Sequence, residues 1–267
     1  METAEDKAIV VSRENGVATL RLNRPEDGNA IDLATSRSLL EVVADLGNNP
    51  EVRCVLLTGT GRFFCVGGAI NAFKAAGPRL PVLIQEITAN LHAAMSGLAN
   101  MAKPLVVAVN GPAAGAGLSL AIIGDIVLSA PRAHFSMAYS GIGFSPDGGA
   151  TWLLPRLVGL RVAQEMSFTN RRLSAEEAQA LGLITRVVPE EGLLEEARTI
   201  AEKLAAGPTR AFGATRQLLN AGASASFEHQ MAAEARAICK AAADWEGREG
   251  IAVFAAKRSP DFAARRD

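Results

Sequence analysis

Three glycine-rich loops hold the residues best able to do chemistry in this 267-residue chain. They are Phe63-Phe64-Cys65-Val66-Gly67-Gly68-Ala69, Asn110-Gly111-Pro112-Ala113-Ala114-Gly115-Ala116-Gly117 and Gly143-Phe144-Ser145-Pro146-Asp147-Gly148-Gly149. Each follows a strand-like run and opens a helix or a turn. Glycine permits close backbone approach, and a helix start leaves N–H groups without partners. Two such loops meeting at one point can aim two backbone donors at a single oxygen, an oxyanion hole that needs no side chain. The third loop adds a carboxylate, Asp147. It reads either as a proton-transfer group or as the N-cap of the following helix. Taken singly, each loop reads better as a tight turn or a helix-packing site, since glycine-rich turns are common. The set contains neither a GxxxxGK[ST] nor a GxGxxG nucleotide motif.

The elements that must position these loops follow from hydrophobic periodicity. Ile9–Arg13 and Val17–Asn23 flank Glu14-Asn15-Gly16, a hairpin signal. Leu33, Leu39, Leu40, Val43 and Leu46 recur at helical spacing, with Asp32 as N-cap. Val52–Thr58 and Pro104–Asn110 read as buried strands, and 84–101 reads as the helix between them. A helix from about 115, strands at Ile126–Ser129 and His134–Ser136, and a capping box at Ser174 to Glu177 follow. Helices dominate from Asp147 onward. The pattern predicts an α/β core over 1–200 and a helical region over 201–267 within one folding unit, and a weak β-β-α recurrence points to stacked repeats.

Composition narrows the function classes. Apolar residues make up 49% of the chain, and 27 Lys and Arg nearly cancel 28 Asp and Glu. That balance gives no field suited to nucleic acid or to a membrane surface. The three cysteines lack CxxC spacing and the three histidines are scattered, so neither a metal site nor a disulfide framework is expected. The start of the chain lacks a basic segment followed by an apolar core, and no apolar run is long enough to span a bilayer. A cytoplasmic protein is expected.

The order of the landmarks resembles the enoyl-CoA hydratase/isomerase (crotonase) superfamily over nearly the whole chain. The matching segments are Leu22-Asn23-Arg24-Pro25 with Asn29-Ala30, the first glycine loop, and Lys103-Pro104 through Gly117 to Asp125-Ile126. Leu173 to Ala178 with Gly182-Leu183, and the tail from Glu249 to Pro260, complete the series. The resemblance implies a spiral of β-β-α units, C-terminal helices that build a homotrimer or dimer of trimers, and an acyl-CoA substrate. It implies no separate cofactor, because coenzyme A is part of the substrate. Gly68 and Ala116 would supply the two oxyanion donors. Ala30, Gly67, Ala69, Ile70, Gly115 and Tyr139 would line the substrate, while Arg24, Lys257 and Phe254 would contact coenzyme A. Alanine at 116 stands where glycine is commoner and tolerates positive φ poorly, which bears on the aim of that donor.

Hydratases of the superfamily hold water with two glutamates, and the corresponding positions here are Ser119 and Tyr139. Neither hydroxyl ionises near neutral pH in its unperturbed state. The Asp147 stretch instead resembles the isomerases acting on phenylacetate-derived and unsaturated acyl-CoA, so an enoyl-CoA isomerase with Asp147 as its proton carrier is expected. The alternatives are a hydratase with an atypical water-activating residue, or a non-catalytic acyl-CoA-binding homologue. Asp147 also matches the nucleophile of chlorobenzoyl-CoA dehalogenases, which pair it with a histidine. By spacing, Ser96 falls at that histidine's place and His92 lies one turn too early, which sets dehalogenation well below isomerisation.

Overall fold

The computed structural model describes residues 7–264. The hairpin forms as expected, β1 (Ile9–Glu14) against β2 (Val17–Leu22). Asn15 and Gly16 both have positive φ, as a two-residue type I′ turn requires. β3 (Cys54–Gly59), β4 (Leu105–Val109), β6 (Ile126–Ser129) and β9 (Arg186–Val187) extend the sheet in the order β1-β2-β3-β4-β6-β9. Every pair after the hairpin is parallel.

Both faces of this sheet are covered, and the strand period of two divides its side chains between them. Val55, Leu57, Val107 and Val109 enter one core with α1 (Leu33–Asn48) and α3 (Leu80–Asn100), which pack on each other. Cys54, Leu56, Val106 and Ala108 enter the other. There α7 (Leu193–Ala205) contributes Leu193, Ala197, Ala201 and Ala205 at i, i+4 spacing. Fully burying a side chain such as Phe64 or Leu56 contributes ~1.5–3 kcal/mol, so this two-sided core anchors the loops at the strand ends.

A second, smaller layer runs beside the first. β5 (Ala113–Ala114), β7 (His134–Ser136) and β8 (Leu173–Ser174) form it, and two single bridges, Ile31 to Gly68 and Cys65 to Ala113, continue it toward the chain start. Each unit therefore crosses the large sheet, takes a short step in the small one and returns through a helix. This is the expected β-β-α spiral. α4 (Ala116–Ile122) and α5 (Ala150–Thr169, broken at Gly159) belong to its later turns, and α6 (Ala175–Ala180) begins at the capping box read from Ser174 and Glu177.

Two expectations change. The stretch from Ala72 to Pro78, which reads as a loop in the sequence, is largely helical, because Ile70–Ala76 form helix α2. The helix before β4 begins at Leu80 rather than at 84. The Gly77-Pro78 punctuation breaks the two helices apart without unfolding either side. Three further helices follow α7: α8 (Thr209–Gly222), α9 (Phe227–Ala243) and α10 (Trp245–Ala255). α7 runs through residue 200, and no described helix is long and apolar enough to cross a membrane.

Candidate active site

The first two glycine loops are laid side by side by the small layer. Cys65 N–H donates to Pro112 O at 3.2 Å, and Ala114 N–H donates back to Cys65 O at 3.0 Å. Contact is close enough that side chains are excluded. A Cβ on Gly67 would lie 2.8 Å from Ala114 O, and one on Gly117 would lie 2.1 Å from Cys65 O. Gly67 also has φ +97°, outside the range open to ordinary residues.

Asn29 locks the first loop from below. Its Nδ2 donates to the carbonyls of Thr60, Phe63 and Phe64, and its Oδ1 accepts from Arg24 N–H. It is 1% exposed and sits at positive φ, which asparagine tolerates better than most residues. The Arg24-to-Ala30 landmark is thus a brace for the loop. Ile31 N–H donates to Gly67 O and Ala69 N–H to Ile31 O, and this pairing leaves Gly68 N–H between them unused.

Ala116 is the first residue of α4, so its N–H has no partner within the helix. The positive φ that the turn demands falls on Gly115, at 56°, and the alanine is not strained. Among the described residues, neither Gly68 N–H nor Ala116 N–H is donated to another protein group. They are two uncommitted donors on adjacent loops.

Asp147 sits at the third corner. Tyr139 OH donates to its Oδ1 at 2.5 Å, and Ser119 Oγ donates to its backbone carbonyl at 3.2 Å. Burial, followed by the carboxylate's charge, pushes the Tyr139 phenol above its ordinary range, so it stays a protonated donor. The Tyr139 ring also borders the Gly115 turn, which connects the carboxylate to the second glycine loop. Asp147 does not cap α5 with its side chain, since the N-cap is Gly149 and no side-chain bond is made there. Oδ2 accepts no hydrogen bond among the described residues.

His92 is where the structure overturns the spacing argument. Its Nε2 accepts Gly148 N–H at 3.0 Å and lies 3.6 Å from Asp147 Oδ2. His92, not Ser96, is the residue of α3 that meets Asp147. Ser96 is engaged with Asn100 on the same helix. A one-turn count from the Lys-Pro strand missed this because it depends on where α3 crosses the Gly148 turn. The available signal was an imidazole beside the apolar stripe Ile87, Leu91, Met95, Leu98. Behind the His92–Gly148 contact lies a cavity of about 620 Å³, lined by Met95, Ile122, Trp152 and Leu153 among others.

The place of Phe73 also went unread in the sequence. The Phe73 ring lies against Gly68 and stacks on Phe144 with centroids 6.4 Å apart, bridging the first and third loops. Ile70, 52% exposed, stands at the start of α2 beside Ala69. Phe254 is 87% exposed, not a core residue of the last helix. No hydrogen bond, ion pair or ring contact among the described residues joins Phe254 or Lys257 to these loops. Cys65 is fully buried, and burial pushes its thiol up to about 12, so it packs and does not react at neutral pH.

Comparisons with known proteins agree with this geometry. Residues 12–265 match the family described as enoyl-CoA hydratase/isomerase. The 1,2-epoxyphenylacetyl-CoA isomerase of Escherichia coli is 39% identical over 254 residues, covering 94% of this chain and 97% of the relative. The 4-chlorobenzoyl coenzyme A dehalogenase-2 of an Arthrobacter species is 32% identical, covering 96% and 94%. A solved enoyl-CoA hydratase structure from Polaromonas sp. JS666 superposes with a TM-score of 0.90 at 34% identity, covering 94% and 98%. Matches this long and at these identities leave no room for a merely fold-level likeness: the chain is an enzyme of the enoyl-CoA hydratase/isomerase family.

Proposed function

We propose that the protein is an enoyl-CoA isomerase that moves a double bond along an acyl-CoA thioester. The thioester oxygen sits between Gly68 N–H and Ala116 N–H. Asp147 Oδ2 takes a proton from the carbon next to the thioester of a 3-enoyl chain. The electron pair delocalises onto the thioester oxygen, and the same proton returns two carbons away to give the 2-enoyl thioester. Atoms balance without a redox partner or an external cofactor. The two N–H groups stabilise the oxygen more strongly once it is charged than while it is neutral, which is the condition for lowering the barrier.

The observation that carries this reading is the division of labour on Asp147. Oδ1 is held by Tyr139, while Oδ2 has no hydrogen bond. One oxygen positions the group and the other is free to carry a proton. The same contacts weigh against a hydratase, since Ser119 and Tyr139 both spend their hydroxyl protons on Asp147 and neither is a second carboxylate to hold water. The Escherichia coli relative, itself named as an isomerase of an acyl-CoA, supports the choice. Arg24, Lys257 and Phe254 are proposed contacts of coenzyme A, and Ala30, Gly67, Ala69, Ile70 and Gly115 line the thioester. The last two C-terminal helices leave Phe227, Ile238 and Ile251 exposed, which supports an assembly of three or six copies.

The test is a paired assay in which a 3-enoyl-CoA and a 2-enoyl-CoA are followed by the absorbance of the conjugated thioester. A rise with the first and no loss with the second supports the isomerase. Loss with the second replaces it with a hydratase.

A second reading is favoured by the contact between His92 and Asp147. In it the carboxylate attacks an aryl carbon, expels chloride, and the resulting ester is hydrolysed by water that the imidazole activates. His92 Nε2 already accepts Gly148 N–H, so its lone pair is not free for that water, and this reading ranks second. Chloride release from 4-chlorobenzoyl-CoA decides it.

A further inference from the structure

The imidazole of His92 does more than fill a helix position, because its acceptor nitrogen is spent on the backbone of the residue following Asp147. A ring nitrogen that accepts an N–H is unprotonated, so the proton of the neutral imidazole is on Nδ1. That bond fixes Gly148, whose left-handed φ of 61° turns the chain away from the carboxylate. The same Nε2 is 3.6 Å from Oδ2, too far for a hydrogen bond and near enough to form one after a small ring rotation.

We propose that His92 is a positioning residue for Asp147: neutral, it anchors Gly148 and leaves Oδ2 open, and on protonation its Nε2–H turns onto Oδ2 and ties up the proton-carrying oxygen. This rests on the isomerase reading of Asp147. Imidazolium has no lone pair for Gly148 N–H, so one proton both releases the turn and caps the carboxylate. The carboxylate, held on Oδ1 by Tyr139 and on Oδ2 by imidazolium, is then a poorer base. Turnover therefore falls in acid as His92 takes up its proton.

The charged and titratable groups around His92 are few. Asp147 faces it from the third loop, and Tyr139 holds the other oxygen of that carboxylate. Asp125 and Arg216, paired at 2.8 Å, line the far side of the adjoining cavity and neutralise each other. Arg156 lies over the Trp152 ring at the cavity's edge. His92 itself is 51% exposed, so protons reach it without unfolding.

Two measurements on the full-length protein test the proposal. The first is the pH profile of kcat/KM on a 3-enoyl-CoA for wild type, His92→Gln and His92→Phe, each normalised to its own plateau. Gln offers Gly148 an acceptor that does not protonate, and Phe offers none. Wild type should lose about tenfold per pH unit below its limb, Gln should lack that limb, and Phe should have a plateau lowered by about tenfold that Gln largely restores. The second is the pH titration of the Gly148 amide resonance without substrate. It should move with pH in wild type, with the midpoint of the kinetic limb, and stay still in His92→Gln. An identical acid limb in wild type and Gln overturns the proposal, and so does a Gly148 amide that does not titrate. Absence of isomerase turnover in wild type would defeat the isomerase reading alone, because the amide titration still decides whether His92 holds Gly148.

Discussion

The hydroxyl of Tyr139 and the carboxylate of Asp147 meet at 2.5 Å, eight residues apart across the turn that leads into α5. The carboxylate is thereby fixed by one oxygen against the ring that borders the Gly115 turn. Tyr139→Phe keeps the ring and removes the tether. The account predicts a kcat on a 3-enoyl-CoA lower by about ten- to a hundredfold, with KM changed much less, because a loosened group loses alignment rather than substrate binding. Steady-state kinetics with unchanged thermal unfolding check it.

Gly67 separates space from chemistry. Gly67→Ala forces a Cβ to within 2.8 Å of Ala114 O at φ +97°, so the first two glycine loops must part. Turnover should fall by about 10²–10³-fold, the cost of misaiming one such donor. Ala116→Gly is the contrasting variant, since it keeps the backbone N–H in place and removes only a methyl group. Its kcat should stay within about threefold of wild type. Equal losses in both variants would mean that the loops do not act through their backbone.

Arg216 supports the same region from the outside. It is 7% exposed, pairs with Asp125 at 2.8 Å, and donates to the carbonyls of Leu98, Met101 and Lys103 at the end of α3. Arg216→Met leaves Asp125 without its partner and should destabilise the fold by about 3–5 kcal/mol. Burial already raises the Asp125 carboxyl above its ordinary range, and Arg216 is what opposes that rise. In the variant the folded state binds the proton more tightly than the unfolded one. The deficit should therefore shrink as pH falls from neutral toward the carboxylate range, where a neutral Asp125 no longer needs a cation. Denaturant unfolding at several pH values measures it.

Much of this was legible before any coordinates. Asn15-Gly16, Asp32 and the Ser174 capping box each announce a local structure by local chemistry, and each formed as read. The glycine loops and Asp147 were legible because their residue types are restricted by close approach and charge. The contacts that Ser119 and His92 make around Asp147 were not. Ser119 lies 28 residues before it, and Gly148 is 56 residues from His92, so both contacts depend on how α3, α4 and the third loop cross. Helix α2 was hidden for a different reason: Gly77 and Pro78 punctuate a run that is helical on either side of them.

The C-terminal helices make their own prediction. Phe227, Ile238 and Ile251 are each about 70% exposed in a single chain, and α9 buries no side chain completely. Light scattering should give about three or six times the 27.9 kDa chain mass. Ile238→Glu should lower that multiple. A monomer at micromolar concentration would remove the assembly from the account.

The most direct test of the central claim is the turnover of Asp147→Asn on a 3-enoyl-CoA, read as the appearance of the conjugated thioester. Asparagine keeps the size of the side chain and an acceptor for Tyr139 OH but cannot take up a proton from the substrate at neutral pH. The account predicts a loss of at least about 100-fold in kcat, with coenzyme A ester binding and thermal unfolding retained. Full turnover in a folded Asp147→Asn protein would contradict it and require another group to move the proton.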